Sequence, residues 1–158
     1  MVKKLKEFTL SYAVKDGQIL LPLKVKMHAD FGSGLHNGVG GKVKNEPHWF
    51  AMIRENMEEQ MILPIGFKRA GELYVSQPLK GELHDCHISL WLVNKFLGKA
   101  TDTTEMQTAW FDLNNIPYDK MPNADSLWLP DLLAGKNPII HIKRDDNTIT
   151  DFHKELSL

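Results

Sequence analysis

Hydrophobic and polar residues alternate clearly near the start of the chain. Phe8, Leu10, Tyr12 and Val14 are separated by Thr9, Ser11 and Ala13, the period of a half-buried strand. Asp16-Gly17 supplies a tight turn into Ile19-Leu20-Leu21, which predicts a hairpin. Residues 30–46, DFGSGLHNGVGGKVKNE, hold too many glycines for regular structure along their whole length. From Pro47 to Met61 the pattern is helical, with Asn45 as its expected cap and Pro47 where a missing N–H costs little. Phe50, Ile53, Met57 and Met61 fall on one side of that helix, and Glu55, Glu58 and Glu59 on the other. Glu72–Ser76, Cys86–Val93 and Ala109–Leu113 read as strands, with Cys86, Ile88, Leu90 and Leu92 sharing a face. A short helix around Leu127–Ala134 stops at Gly135, and Ile139–Lys143 and Thr148–Lys154 are further strands. Strands, helix, strands, helix, strands predicts an α+β sandwich around a mixed sheet.

Composition narrows the classes. At 158 residues the chain is expected to form one domain, residues 1–158, and 42% hydrophobic with 25% charged residues is the make-up of a globular protein. Nineteen Lys+Arg against twenty Asp+Glu give a formal charge of -1, so neither a nucleic-acid polymer nor an anionic membrane is an expected partner. No apolar run reaches a signal peptide or a span, and Cys86 is the single cysteine, which together predict a cytoplasmic protein. The sequence leaves the oligomeric state open.

The candidate chemistry lies in the first helix. Three carboxylates three and four positions apart repel one another by on the order of a few tenths of a kcal/mol per pair. Arg54 reaches Glu58 one turn on, but one arginine cannot neutralise three glutamates. Two readings stand: a solvated acidic face, or a site for a hard divalent cation such as Mg²⁺, which takes a few carboxylates and completes its shell with phosphate oxygens. The glycine-rich approach favours the second, because it offers free backbone groups beside the acids.

Gly40-Gly41-Lys42-Val43, Glu46 and Arg54-Glu55-Asn56-Met57-Glu58-Glu59 resemble the signature box of the Nudix hydrolases. The likeness extends over most of the chain and is strongest to the MutT-like oxidised purine nucleoside triphosphatases, which act as 8-oxo-dGTP diphosphatases. It is carried by Thr9-Leu10, Leu20-Leu21, Phe31 through Asn37-Gly38 to Val43, Glu105-Met106, Trp110-Phe111, Ile116-Pro117-Tyr118, Asp125-Ser126 and Trp128. It implies a Nudix-type α/β/α sandwich around a mixed β-sheet. It also implies a hydrolase of phosphoric anhydride bonds whose partner is a small-molecule nucleotide. By that likeness Gly40, Glu55, Glu58 and Glu59 hold Mg²⁺ or Mn²⁺, and Arg54 orients the glutamates. Glu58 or Glu59, with Glu105 as a second candidate, then takes a proton from the attacking water. Two alternatives are a non-catalytic nucleotide-binding sensor and a hydrolase of another nucleoside diphosphate derivative.

The chain departs from the family pattern at several positions. Counted from Gly41, the loop to Glu46 is one residue short, and Asn56 replaces an apolar residue. Met61 replaces the glycine that closes the helix. A methionine in the left-handed region costs about 1–2 kcal/mol, so the helix is expected to end differently.

The same resemblance implies nucleotide contacts from Thr9, Lys24, Phe31, Asn37, Met106, Asp125 and Trp128. Asn37 suits a purine edge because an amide both donates and accepts. Asp125, if protonated, can donate to a purine acceptor, but it is equally an N-cap for the helix near Leu127. Trp128 reads also as plain core. Where the family's oxidised-purine readers carry two adjacent acids and a tryptophan, this chain has Pro122-Asn123-Ala124-Asp125. His36 stands in place of an aromatic, and Met27-His28-Ala29-Asp30 is inserted. Alternation puts His84 and His87 on opposite strand faces, and His28, His36 and His48 lack ligand spacing, so the histidines read as ordinary surface or loop residues. Cys86 reads as core.

Overall fold

The computed structural model describes residues 5–25, 34–79 and 81–157. Phe31 and the inserted Met27–Asp30 stretch lie outside the described residues. β1 (Lys6–Lys15) and β2 (Gln18–Leu20) form the expected hairpin. Its two-residue turn places Asp16 at φ 53° and Gly17 at φ 75°, the positive pair that such turns require. β3 (Leu23–Lys24) pairs with β7 (Met106–Gln107) in a small separate sheet. The glycine-rich segment supplies β4 (Val39–Lys42), antiparallel to β1.

β5 (Leu63–Leu79) and β6 (Glu82–Leu97) make a long hairpin, and β8 (Trp110–Asp112), β9 (Ile139–Asp145) and β10 (Thr148–Glu155) complete the main sheet. Its order is β10-β9-β5-β6-β1-β2-β8, with β4 beside β1. The β1–β6 and β5–β9 pairs are parallel and the others antiparallel, so the sheet is mixed. β5 runs well beyond Glu72–Ser76, because register shifts around Gly66 and between Arg69 and Gly71 absorb the irregular residues. β1 is buried on both faces, unlike the half-buried strand its alternation predicts. Thr9, Ser11 and Ala13 are as inaccessible as Tyr12, since the strand sits inside the sheet with helical segments on either side.

Helix α1 (His48–Gln60) covers one face, where Met52 packs with Ala13, Leu20, Val39, Trp91 and Val93. On the other face lie a 3₁₀ turn (Asp125–Leu127) and α2 (Leu129–Leu133). There Trp128, Leu129 and Leu132 pack against Tyr12, Leu73, Leu90, Ile140 and Ile142. This is the α/β/α sandwich. No helix among the described residues is long and apolar enough to cross a membrane.

Helix α1 corrects three expectations. Pro47 occupies the cap position, and Asn45 caps nothing, being held two residues earlier at φ 54°. Most of the apolar stripe faces outward: Phe50, Met57 and Met61 are exposed and Ile53 alone is half-buried against the core, while Ala51, Met52, Glu55, Asn56 and Gln60 are buried. The polar stripe turns inward because partners await it. Asn56 donates to Ser11 Oγ at 2.8 Å and to the Met52 carbonyl, and Gln60 Oε1 accepts from Thr108 at 2.7 Å. Met61 does end the helix in the left-handed region (φ 59°), its N–H bonded to the Met57 carbonyl at 3.1 Å. The backbone closure outweighs the side-chain cost.

Candidate active site

The acid cluster is organised by Arg54. Its Nε donates to both Glu46 oxygens at 3.1 and 3.2 Å, and its Nη2 to Glu46 and to the Lys42 carbonyl at 3.1 Å. Nη1 reaches Glu55 at 2.9 Å and Glu58 at 3.3 Å. One guanidinium thus ties β4 and its loop to α1. Hydrogen bonding to Arg54 holds the Glu46 carboxyl below its ordinary range. Burial raises Glu55 despite the same arginine. Glu59 is pushed up to about 8 by burial and then by the charges of Glu55 and Glu105, against a hydrogen bond from the Gly40 N–H. One of its carboxylate oxygens is buried with no partner among the described residues. Glu105, just ahead of β7, is therefore part of this cluster.

Two glycines make the close approach possible. A Cβ on Gly41 would sit 2.3 Å from a Glu55 oxygen, and one on Gly40 would sit 2.1 Å from the Thr9 carbonyl. Only a strand without side chains lets α1 bring its carboxylates against the sheet here.

Gly40 and Gly41 also line a cavity of about 380 Å³ whose wall includes Thr9, Lys24, Asn37, Met106, Asp125 and Trp128. Every described residue expected on the nucleotide side, drawn from five separate segments, meets in this one space. Thr9 Oγ1, Asp125 Oδ2 and Trp128 Nε1 are buried there without a protein partner among the described residues. Buried polar atoms are rarely left so, and three around one cavity are the pattern of a ligand-binding wall. Burial lifts the Asp125 carboxyl to about 7, with Arg144 opposing the shift. Asp125 does not cap a helix: Ala124 and Trp128 hold the two cap positions, and neither helical segment has a side-chain cap. Trp128 is both wall and core, fully buried and edge-on to Tyr12. The Asn37 oxygen accepts from the Gly38 N–H at 2.8 Å and from Tyr12, leaving its amide nitrogen to offer a ligand.

Lys6, Gln77 and His84 on the same wall are not evident from sequence reasoning. Arg144, also on the wall, falls outside the predicted strand, although it continues the inward positions Ile140 and Ile142 one step past that strand's end. Asn123 accepts from Arg144. His36 bonds the Leu21 carbonyl at 2.7 Å and packs edge-on to Phe111. Cys86 is half-buried on the wall rather than fully core, and burial raises its thiol away from nucleophilic use. His84 and His87 do lie on opposite faces. His48 and His87, however, are not isolated surface residues, since the fold brings both to Glu7.

Comparison with known proteins agrees with this geometry. The chain is 31% identical over 150 residues to the oxidized purine nucleoside triphosphate hydrolase of Danio rerio, covering 94% of this chain and 93% of that protein. It is 32% identical to the protein of the same name from Mus musculus, covering 92% and 91%. The MutT protein of Bacillus halodurans superimposes with a TM-score of 0.81 at 17% identity, over 96% of this chain and 98% of that one. A MutT Nudix hydrolase from Burkholderia pseudomallei gives 0.60 at 23% identity, over 73% and 88%. No family model matches. The chain belongs to the MutT-like Nudix hydrolases, enzymes that cleave phosphoric anhydride bonds.

Proposed function

We propose that this protein hydrolyses oxidised purine nucleoside triphosphates to the monophosphate and pyrophosphate, using Mg²⁺ or Mn²⁺ held by Glu55, Glu58, Glu59 and the Gly40 carbonyl. The observation that carries the reading is the double role of β4. Gly40 and Gly41 line the purine-sized cavity and simultaneously contact Glu59 and Glu55, so a base in the cavity directs its phosphates toward the acid cluster. The donor set suits a hard cation, being oxygen-rich and including a buried Glu59 oxygen without a partner among the described residues.

When bound, such an ion offsets phosphate charge and acidifies the attacking water. Arg54 fixes the positions of Glu55 and Glu58. Glu58 or Glu59 takes the water's proton, with Glu105 as the second candidate. In the cavity, Asp125 in its protonated form donates to a purine acceptor, and Asn37 donates from its amide nitrogen. Trp128 and Met106 supply apolar wall. The short loop to Glu46, Asn56 and Met61 are the departures that would favour a sensor, and none of them removes an expected metal ligand.

The test is pyrophosphate release from a panel of ordinary and oxidised nucleotides with Mg²⁺, comparing wild type with Glu58→Gln. Release that the substitution abolishes supports the proposal. Tight binding of oxidised dGTP with no release would establish the sensor instead, and turnover confined to a nucleotide sugar or dinucleotide would redirect the substrate.

A further inference from the structure

Glu7 on β1, His48 at the start of α1 and His87 on β6 meet on the α1 side of the sheet, their ligand atoms all within 4.8 Å of one another. His48 lies seven to eleven residues before the box glutamates, about 10–16 Å along the helix axis, so this is a separate place. We propose that Glu7, His48 and His87 form a second metal site, for a borderline transition ion of the Zn²⁺ class.

Three observations carry this. First, the donors are two imidazoles and one carboxylate, a set that suits Zn²⁺ and leaves Mg²⁺ poorly served. Second, the atoms facing the common point are the right ones. His87 Nδ1 bonds Glu7 Oε2, and His48 Nε2 stands 3.6 Å from that oxygen, close to the spacing of about 3.4 Å for neighbours around a tetrahedral zinc. Third, the outer nitrogens are already held. His87 Nε2 is 2.9 Å from Glu72 Oε1, and Glu72 is gripped by Arg69 at 2.8 Å. His48 Nδ1 is 2.7 Å from Ser89 Oγ, which also accepts from the Trp91 indole at 2.8 Å. Tyr74 stacks on the His87 ring at 4.7 Å and fixes its plane. Metal-binding histidines commonly have such an outer shell, their second nitrogen donating to a carboxylate or oxygen. Glu7 is partly exposed, which gives an ion a way in. The ion would clip the start of α1 to β1 and β6.

The test is titration of tag-free protein with Co²⁺ as a spectroscopic stand-in for zinc, with Mg²⁺ in excess to occupy the box carboxylates. The expected result is one equivalent of Co²⁺ giving the intense visible bands of a four-coordinate ion, displaced by Zn²⁺. Zn²⁺ should also raise the melting temperature. His48→Gln and Glu7→Gln should each weaken binding by 100-fold or more, and Glu72→Gln, which touches only the outer shell, by about 10–100-fold. Circular dichroism confirms that each variant folds, and exposed Glu7 keeps the test available should a histidine variant fail. No bands, or bands that survive in folded His48→Gln and Glu7→Gln, would overturn the proposal and leave a hydrogen-bond network only.

Discussion

The acid cluster and the cavity, which meet at Gly40 and Gly41 of β4, are built in contrasting ways. The cluster is dense with charge and internally bonded: one arginine grips three glutamates and a carbonyl. The cavity is largely apolar and leaves buried polar atoms on Thr9, Asp125 and Trp128 without protein partners. The first region is pre-organised by its own contacts. The second, on the proposed reading, is completed by the nucleotide. Chemistry and recognition should therefore fail differently when each is damaged.

The largest effect is expected from the cluster. Glu58→Gln, at an exposed position bonded to Arg54, should lower kcat about 10²–10⁴-fold if Glu58 is the base, with KM little changed and melting temperature preserved. Steady-state kinetics with a thermal melt check both. Next, Asp125→Ala, which removes the donor, should leave kcat for ordinary nucleotides near wild type and cost about tenfold in kcat/KM for the oxidised purine, the size of one lost hydrogen bond.

A smaller effect concerns pH. Burial raises Asp125 to about 7 from 3.8. A raised carboxyl favours the folded state fully below the unfolded value, and that contribution is lost as pH climbs through 7. Asp125→Asn has no such loss, so its melting temperature should gain on wild type between pH 4 and pH 8. A constant difference across that range would refute the buried, protonated carboxyl. The preference for oxidised purine should weaken above pH 7 in the wild type. The smallest expected change is Met61→Gly, which relieves a left-handed methionine and should add up to about 1 kcal/mol to stability without altering turnover.

The same contrast governs what the chain discloses before it folds. In the cluster, helix geometry alone brings Glu55, Glu58 and Glu59 together, while Gly40 and Glu46, outside the helix, join them through the resemblance to the family box. The cavity's components are spread from Lys6 to Arg144, and only the resemblance to a known family gathers Asp125, Asn37 and Trp128. Arg144, continuing the Ile140–Ile142 alternation, was within reach of the pattern. His48 and His87, 39 positions apart on α1 and β6, were not, because no local period links a helix start to a strand. The helix itself misleads: an apolar stripe at Phe50, Met57 and Met61 suggests the buried face, yet the buried side sets Glu55, Asn56 and Gln60 beside Ala51 and Met52, since Ser11, Thr108 and the glycine strand supply the polar groups with partners.

The most direct measurement sets the two regions against each other: initial rates of pyrophosphate release from 8-oxo-dGTP and dGTP for wild type, Glu58→Gln and Asp125→Ala, with Mg²⁺ at pH 6.5. Glu58→Gln is expected to lose turnover of both nucleotides while keeping their ratio, and Asp125→Ala to keep turnover of dGTP while losing the preference. A wild type that releases pyrophosphate from neither, or an Asp125→Ala variant with its preference intact, would contradict this division of chemistry from recognition.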